Sequence, residues 1–162
     1  AIADGLYLNS SAAKSAYGFW GTAPTSSVMY IANSSRVNSN SEDYIAYCFA
    51  PVESYSSMGT YLGNGSADGP FVFTGMRPAF ILTKGVDDAD DWYIRDTSVS
   101  PFNEVNQSFR PNDSGSEYSG RTIDILSNGF KITDSDSQIN QSGKTYLYYA
   151  VAEHPFKNSR AR

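Results

Sequence analysis

Along most of the chain, short runs of Tyr, Phe, Val, Ile and Thr alternate with clusters of Ser, Asn, Asp and Gly. β-Branched and aromatic residues suit a pleated, half-buried surface, and the polar clusters between them are turn formers, so the pattern predicts strands. The runs fall at 28–32, 44–50, 59–62, 71–74, 79–84, 92–96, 122–126, 129–133 and 145–152. Gly63-Asn64-Gly65 and Asn128-Gly129 supply the positive-φ positions of tight turns, and Ser142-Gly143 is a weaker turn. Only residues 10–16 have the composition for a turn or two of helix, and they lack an apolar stripe. The expected class is all-β, an antiparallel β-sandwich of jelly-roll or concanavalin-like type.

The runs at 44–50 and 145–152 are nearly continuous in apolar residues, which suits strands covered on both faces or packed at an interface. They also resemble each other. A shift of 102 residues lays Tyr44-Ile45-Ala46-Tyr47-Cys48-Phe49-Ala50 on Tyr146-Leu147-Tyr148-Tyr149-Ala150-Val151-Ala152, and Val37-Asn38 on Ile139-Asn140. Self-similarity at a fixed offset is the mark of a repeat, here of about a hundred residues. Residues 1–50 then read as the second half of a preceding unit and 51–162 as a complete unit with a C-terminal tail. The backbone of 28–50 is expected to superpose on 130–152. A chain opening halfway through a unit reads as a piece of a longer protein. The alternative is one sandwich, 1–162, with two halves related by an approximate twofold.

Charge narrows the function classes. The 162 residues carry 12 Lys and Arg against 17 Asp and Glu, a net −5. Nucleic acid is therefore not an expected partner, since phosphate contacts need clustered cations. A single Cys, Cys48, excludes an intrachain disulfide and any Cys-based zinc site, and a single His, His154, excludes two-histidine metal motifs. No apolar run approaches the ~20 residues of a membrane-spanning helix, and no membrane insertion is expected.

Candidate chemistry is sparse. Asp87-Asp88-Ala89-Asp90-Asp91 could offer oxygen ligands to Ca²⁺, but it lacks the spacing and Gly of an EF-hand loop and reads better as a solvated hairpin tip. Asp134-Ser135-Asp136-Ser137 reads the same way. His154 follows the last strand without any Gly-x-Ser-x-Gly elbow to serve, so a fixed contact is the better reading than catalysis. The glycine-rich stretch 63–70 lacks the Gly-Lys-Ser/Thr ending of a phosphate loop and reads as a turn. Two carboxylates for glycoside hydrolysis need proximity only in space, and nothing in the chain singles out a pair. No cofactor is expected. The remaining asset is aromatic: Trp20, Trp92, Tyr93 and Tyr118 are the candidate platforms for stacking on a sugar ring or a partner.

The ordered motifs Gly59-Thr60-Tyr61-Leu62-Gly63-Asn64-Gly65, Gly75-Met76-Arg77-Pro78-Ala79-Phe80, Trp92-Tyr93-Ile94-Arg95-Asp96, Ile123-Asp124-Ile125-Leu126-Ser127-Asn128-Gly129-Phe130-Lys131 and Tyr146-Leu147-Tyr148-Tyr149-Ala150-Val151-Ala152-Glu153-His154-Pro155-Phe156 carry a resemblance. Over about residues 36–162 the chain resembles a roughly hundred-residue β-rich domain of tailed-phage virion and tail-fibre-like proteins, many of them marine. It departs from that family at Lys84-Gly85, where Lys-Arg is usual. The resemblance implies a non-catalytic structural or adhesive domain in a virion, contacting host surface polysaccharide or other virion proteins, and it carries over no catalytic residues. The competing expectation is a glycan depolymerase or a carbohydrate-binding module on the same scaffold.

Assembly is expected from composition. Charged residues make up 18% of the chain, below the ~25% usual in globular domains, while 14% are aromatic. Such a surface resembles the core of a subunit interface. By analogy with fibre domains the expected assembly is a homotrimer, with Phe71, Phe73, Phe80, Tyr148 and Phe156 as contacts and the basic tail 155–162 lying against acidic surface.

Overall fold

Two four-stranded antiparallel sheets face each other in the computed structural model, which describes residues 4–155. In chain order the elements are β1 (Asp4–Gly5), β2 (Ser15–Ala16), β3 (Ser56–Leu62), β4 (Phe71–Phe73), β5 (Pro78–Gly85), β6 (Trp92–Asp96), β7 (Val105–Ser108), β8 (Tyr118–Leu126), β9 (Gly129–Ile132), the single helical turn α1 (Ser137–Asn140) and β10 (Thr145–Ala152). The first sheet has the order β3-β10-β5-β6 and the second β4-β9-β8-β7; β1 and β2 form a separate two-residue pair. The protein is an all-β antiparallel sandwich.

The core between the sheets follows from period-two alternation. β10 turns Tyr146, Tyr148 and Ala150 inward, where they join Tyr61 of β3, Ile81 of β5 and Tyr93 of β6. The second sheet answers with Val72, Val105, Ile123, Ile125, Phe130 and Ile132. Aromatic rings interlock across the space: Tyr61 stacks on Tyr146 at 5.1 Å, and Phe130 meets Tyr148 edge-on at 5.6 Å. Full burial of each such side chain contributes about 1.5–3 kcal/mol.

The two long edges of the sandwich differ. At one, the sheets are joined, because Ile94 of β6 and Phe109, just after β7, exchange both backbone hydrogen bonds at 2.8 and 2.9 Å. At the other, β3 and β4 end their sheets without a neighbouring strand among the described residues. One end of the sandwich is plugged by α1. Asp136 caps it by accepting from the Gln138 N–H at 2.8 Å, while Tyr61 and Tyr146 donate their hydroxyls to the Ile139 and Ser137 carbonyls at 2.9 and 2.5 Å. Asn140, fully buried, donates to the Ser66 and Asp134 carbonyls and accepts from the Asn64 N–H, pinning the loop 63–70 to the plug. Gly63 and Gly69 permit that approach, since a Cβ at either would collide with the backbone beside Gln141 or Ile132.

The strands expected at 59–62, 71–74, 79–84, 92–96, 122–126, 129–133 and 145–152 are present within a few residues at each end. Four expectations are corrected. Residues 44–50 are exposed and in no strand, so they are not the buried equivalent of β10. Residues 28–32 contribute a single bridge, Ile31 to Trp20. Consequently 28–50 does not superpose on 130–152, which contains β9, α1 and β10. The physical reason is that apolar type permits a strand but only a neighbouring strand satisfies its backbone. Helix is absent from 10–16, where β2 pairs with β1, and the one helical turn among the described residues is at Ser137–Asn140. β7, with its polar sequence Val-Asn-Gln-Ser, gave no apolar signal.

Candidate functional site

The aromatic residues singled out from sequence do not converge. Trp92 is buried, and its indole Nε1 donates to the Tyr7 and Ser10 carbonyls at 2.8 and 3.2 Å, which holds the N-terminal segment on the sandwich. Tyr93 is fully buried, its hydroxyl bonded to Gln138 Oε1 at 2.5 Å. Tyr93, which solvent does not reach, offers no face to a sugar, whereas Trp92 keeps an edge on the groove that crosses the outer face of the first sheet. Tyr118 is half-buried between two cations, with the Arg121 guanidinium 4.2 Å and the Arg110 guanidinium 5.2 Å from its ring centroid. Trp20 is the most open of the four, at 37% exposure.

Tyr118 belongs to a ladder that sequence reading missed. Arg110, Tyr118, Arg121, Tyr93 and Arg95 alternate cation and ring from the surface to the core, with Arg121 and Arg95 lying 5.2 and 5.5 Å from the Tyr93 centroid. Arg110 pairs with Asp91 at 3.2 Å and Arg121 with Asp136 at 3.1 Å. Arg95, at the inner end, has no carboxylate partner among the described residues. It donates to the Arg121 carbonyl at 2.6 Å and to Thr83 Oγ1 at 3.3 Å, and burial pushes its guanidinium down to about 10, still charged at neutral pH. Packed against these rings, Arg95 and Arg121 lock β6, β8 and α1 together, and Arg110 closes the ladder at the surface. The signal that could have found them is the short spacing of Tyr and Arg within one strand, Tyr93 and Arg95 in β6 and Tyr118 and Arg121 in β8.

The acidic cluster is occupied by protein cations. Asp87 pairs with Lys14 at 3.0 Å and accepts from the Thr145 N–H, contacts that hold its carboxyl below the usual range; Asp88 pairs with Lys144 at 2.8 Å. Asp90 is half-buried, and burial raises its carboxyl. Among the described residues no three His, Cys, Asp or Glu side chains are grouped to hold a metal ion. His154 is exposed just beyond β10, while its neighbour Glu153 pairs with Arg77 at 2.9 Å.

Two apolar surfaces remain. The outer face of the first sheet carries Met58, Leu147, Tyr149, Phe80, Leu82 and Ile94, an open groove of about 600 Å³ overhung by Leu8 and Phe49. Phe49 meets Tyr149 at 5.4 Å, and Phe80 meets the same ring at 6.3 Å. The second surface is a cleft of about 300 Å³ in the N-terminal segment, where Trp20 sits with Phe19, Met29, Ile31, Tyr44 and Tyr47. Of the expected subunit contacts, Phe71 and Phe73 are exposed on β4 and Phe80 lines the groove. Tyr148 instead points into the core, and Phe156 lies outside the described residues, as does most of the basic tail.

A family model described as a domain of unknown function (DUF7483) matches residues 2–155. The chain belongs to this family. The match runs without a break through the irregular N-terminal segment and the sandwich, so both belong to the DUF7483 domain. No curated protein and no solved structure matches the chain. No helix among the described residues is long and apolar enough to cross a membrane.

Proposed function

We propose that this DUF7483 domain is a non-catalytic structural and adhesive module that works by presenting apolar surface to other chains, and that it serves in a phage virion. The observation that carries the reading is the exposure of large apolar side chains in one segment: Ile45 at 82%, Tyr47 at 79% and Phe49 at 67%. They lie beside an open apolar sheet face, and contiguous apolar surface of this kind marks an interaction site. The motif resemblance to tail-fibre-like proteins supports the virion setting, with a homotrimer as the expected state. The cleft around Trp20 supports contact with the apolar face of a sugar, which suits a host polysaccharide.

Light scattering on the chain at micromolar concentration tests the structural half, the expected result being an oligomer and the opposing one a monomer. Binding of labelled chain to bacterial cells before and after removal of surface polysaccharide tests the adhesive half; Trp20→Ala is expected to weaken it. Release of reducing sugar from that polysaccharide would instead establish the glycan depolymerase alternative.

A further inference from the structure

Residues 44–50 and the edge of β3 are complementary, and we infer that the segment from one copy adds as a strand to the β3 edge of the next. The inference rests on the self-associating part of the proposed function and specifies its geometry.

On the acceptor side, Gly63 donates its N–H to the Lys144 carbonyl at 2.9 Å, toward β10, whereas Ser56 exchanges its N–H and C=O with Val52 on the opposite side. Backbone groups alternate along an antiparallel strand, so those of Met58, Thr60 and Leu62 point away from β10 into the open edge. No backbone partner meets them there among the described residues. On the donor side, no N–H of residues 44–50 donates to a backbone carbonyl among the described residues, although the sequence is that of a strand. A free edge invites such a segment.

The sequence similarity noted above gives the pairing its specificity. β10, the strand already paired with β3, carries Tyr at the positions where 44–50 carries Tyr44 and Tyr47. β3 thus accepts on its free side a strand resembling the one on its bound side. Added there, Ile45 and Tyr47 extend the apolar row of Met58, Leu147 and Tyr149 on the outer face. The smaller Ala46 and Cys48 turn toward the gap between β3 and β4. Donor and acceptor are different surfaces, so the contact is heterologous and repeats from copy to copy; with the right rotation it closes into a ring such as the expected trimer.

The test uses the 162-residue chain and two variants. Tyr47→Pro removes an N–H from the donor at an exposed position, and Thr60→Pro removes an outward N–H from the acceptor, where an edge strand tolerates Pro. Thr60→Lys, which keeps the backbone and adds an edge charge, serves if Thr60→Pro does not fold. Light scattering is expected to give an oligomer for the parent chain and 17.7 kDa for each variant alone. Mixed, the two variants are expected to form a complex of one copy of each and nothing larger, because each supplies the surface the other lacks. An oligomer that survives Tyr47→Pro, or a mixture that stays monomeric, overturns the inference while leaving self-association standing. A parent chain that is itself monomeric overturns both.

Discussion

Residues 44–50 and β10 have nearly the same apolar sequence and opposite fates. β10 is the most contacted strand of the first sheet, paired with β3 over seven residues on one side and with β5 on the other. The 44–50 segment crosses the surface unpaired, with Phe49 resting on Tyr149. The difference is not intrinsic to the residues. β-Propensity measures how well a side chain packs against neighbouring strands, and only β10 has them.

Alkali gives the largest contrast. Burial raises the phenols of Tyr61, Tyr93 and Tyr146, the last to about 12. A group with a raised folded pKa contributes stability that is complete below its unfolded value, near pH 10, and is lost as pH rises from there. The buried Tyr61 alone withdraws up to about 1.4 kcal/mol per pH unit above pH 10. The sandwich is therefore expected to lose stability steeply between pH 10 and 12, read by urea midpoints at each pH; a flat profile would contradict the packing of β3 and β10.

Substitution makes the comparison residue by residue. Tyr146→Ala removes a buried ring stacked on Tyr61 and the hydroxyl that holds α1, and is expected to cost about 4 kcal/mol in urea unfolding. Tyr44→Ala, at the matching position, is expected to stay within about 0.5 kcal/mol. Asn140→Ala and Asn38→Ala form the next pair. Buried Asn140 loses its bonds to the loop 63–70, at a cost of about 3 kcal/mol, while exposed Asn38 changes little. Phe49→Ala, where the two regions touch, falls between the members of these pairs: about 1 kcal/mol in the same assay, from the lost Tyr149 contact.

These pairs also locate what was legible in the sequence. Turn chemistry and residue type marked β3 to β6 and β8 to β10, because each has an apolar inner row and Gly- or Asn-rich ends. β7 was invisible because only Val105 and Ser108 face inward from it, and the rest of its sequence is polar. The segment 44–50 was misread because pattern reports what a strand could bury, not whether a partner is present. The acidic cluster was legible as a polar loop tip, but its pairing with Lys14, Lys144 and Arg110 depends on residues remote in sequence. Trp92 and Tyr93 show the same limit from the other side: adjacent aromatics read alike, although Tyr93 fills the core and Trp92 lies on the outer face beneath the N-terminal segment.

The bond from Trp92 to the carbonyls of Tyr7 and Ser10 gives the molecule two separate optical reporters. The chain has only two tryptophans. The indole of Trp92, buried under the N-terminal segment, is expected to emit toward the blue and resist iodide, and the exposed Trp20 to emit toward the red and be quenched. A blue signal that shifts red before the sandwich melts would mark the N-terminal segment lifting off the sheet, so one cuvette can follow docking and unfolding as distinct events.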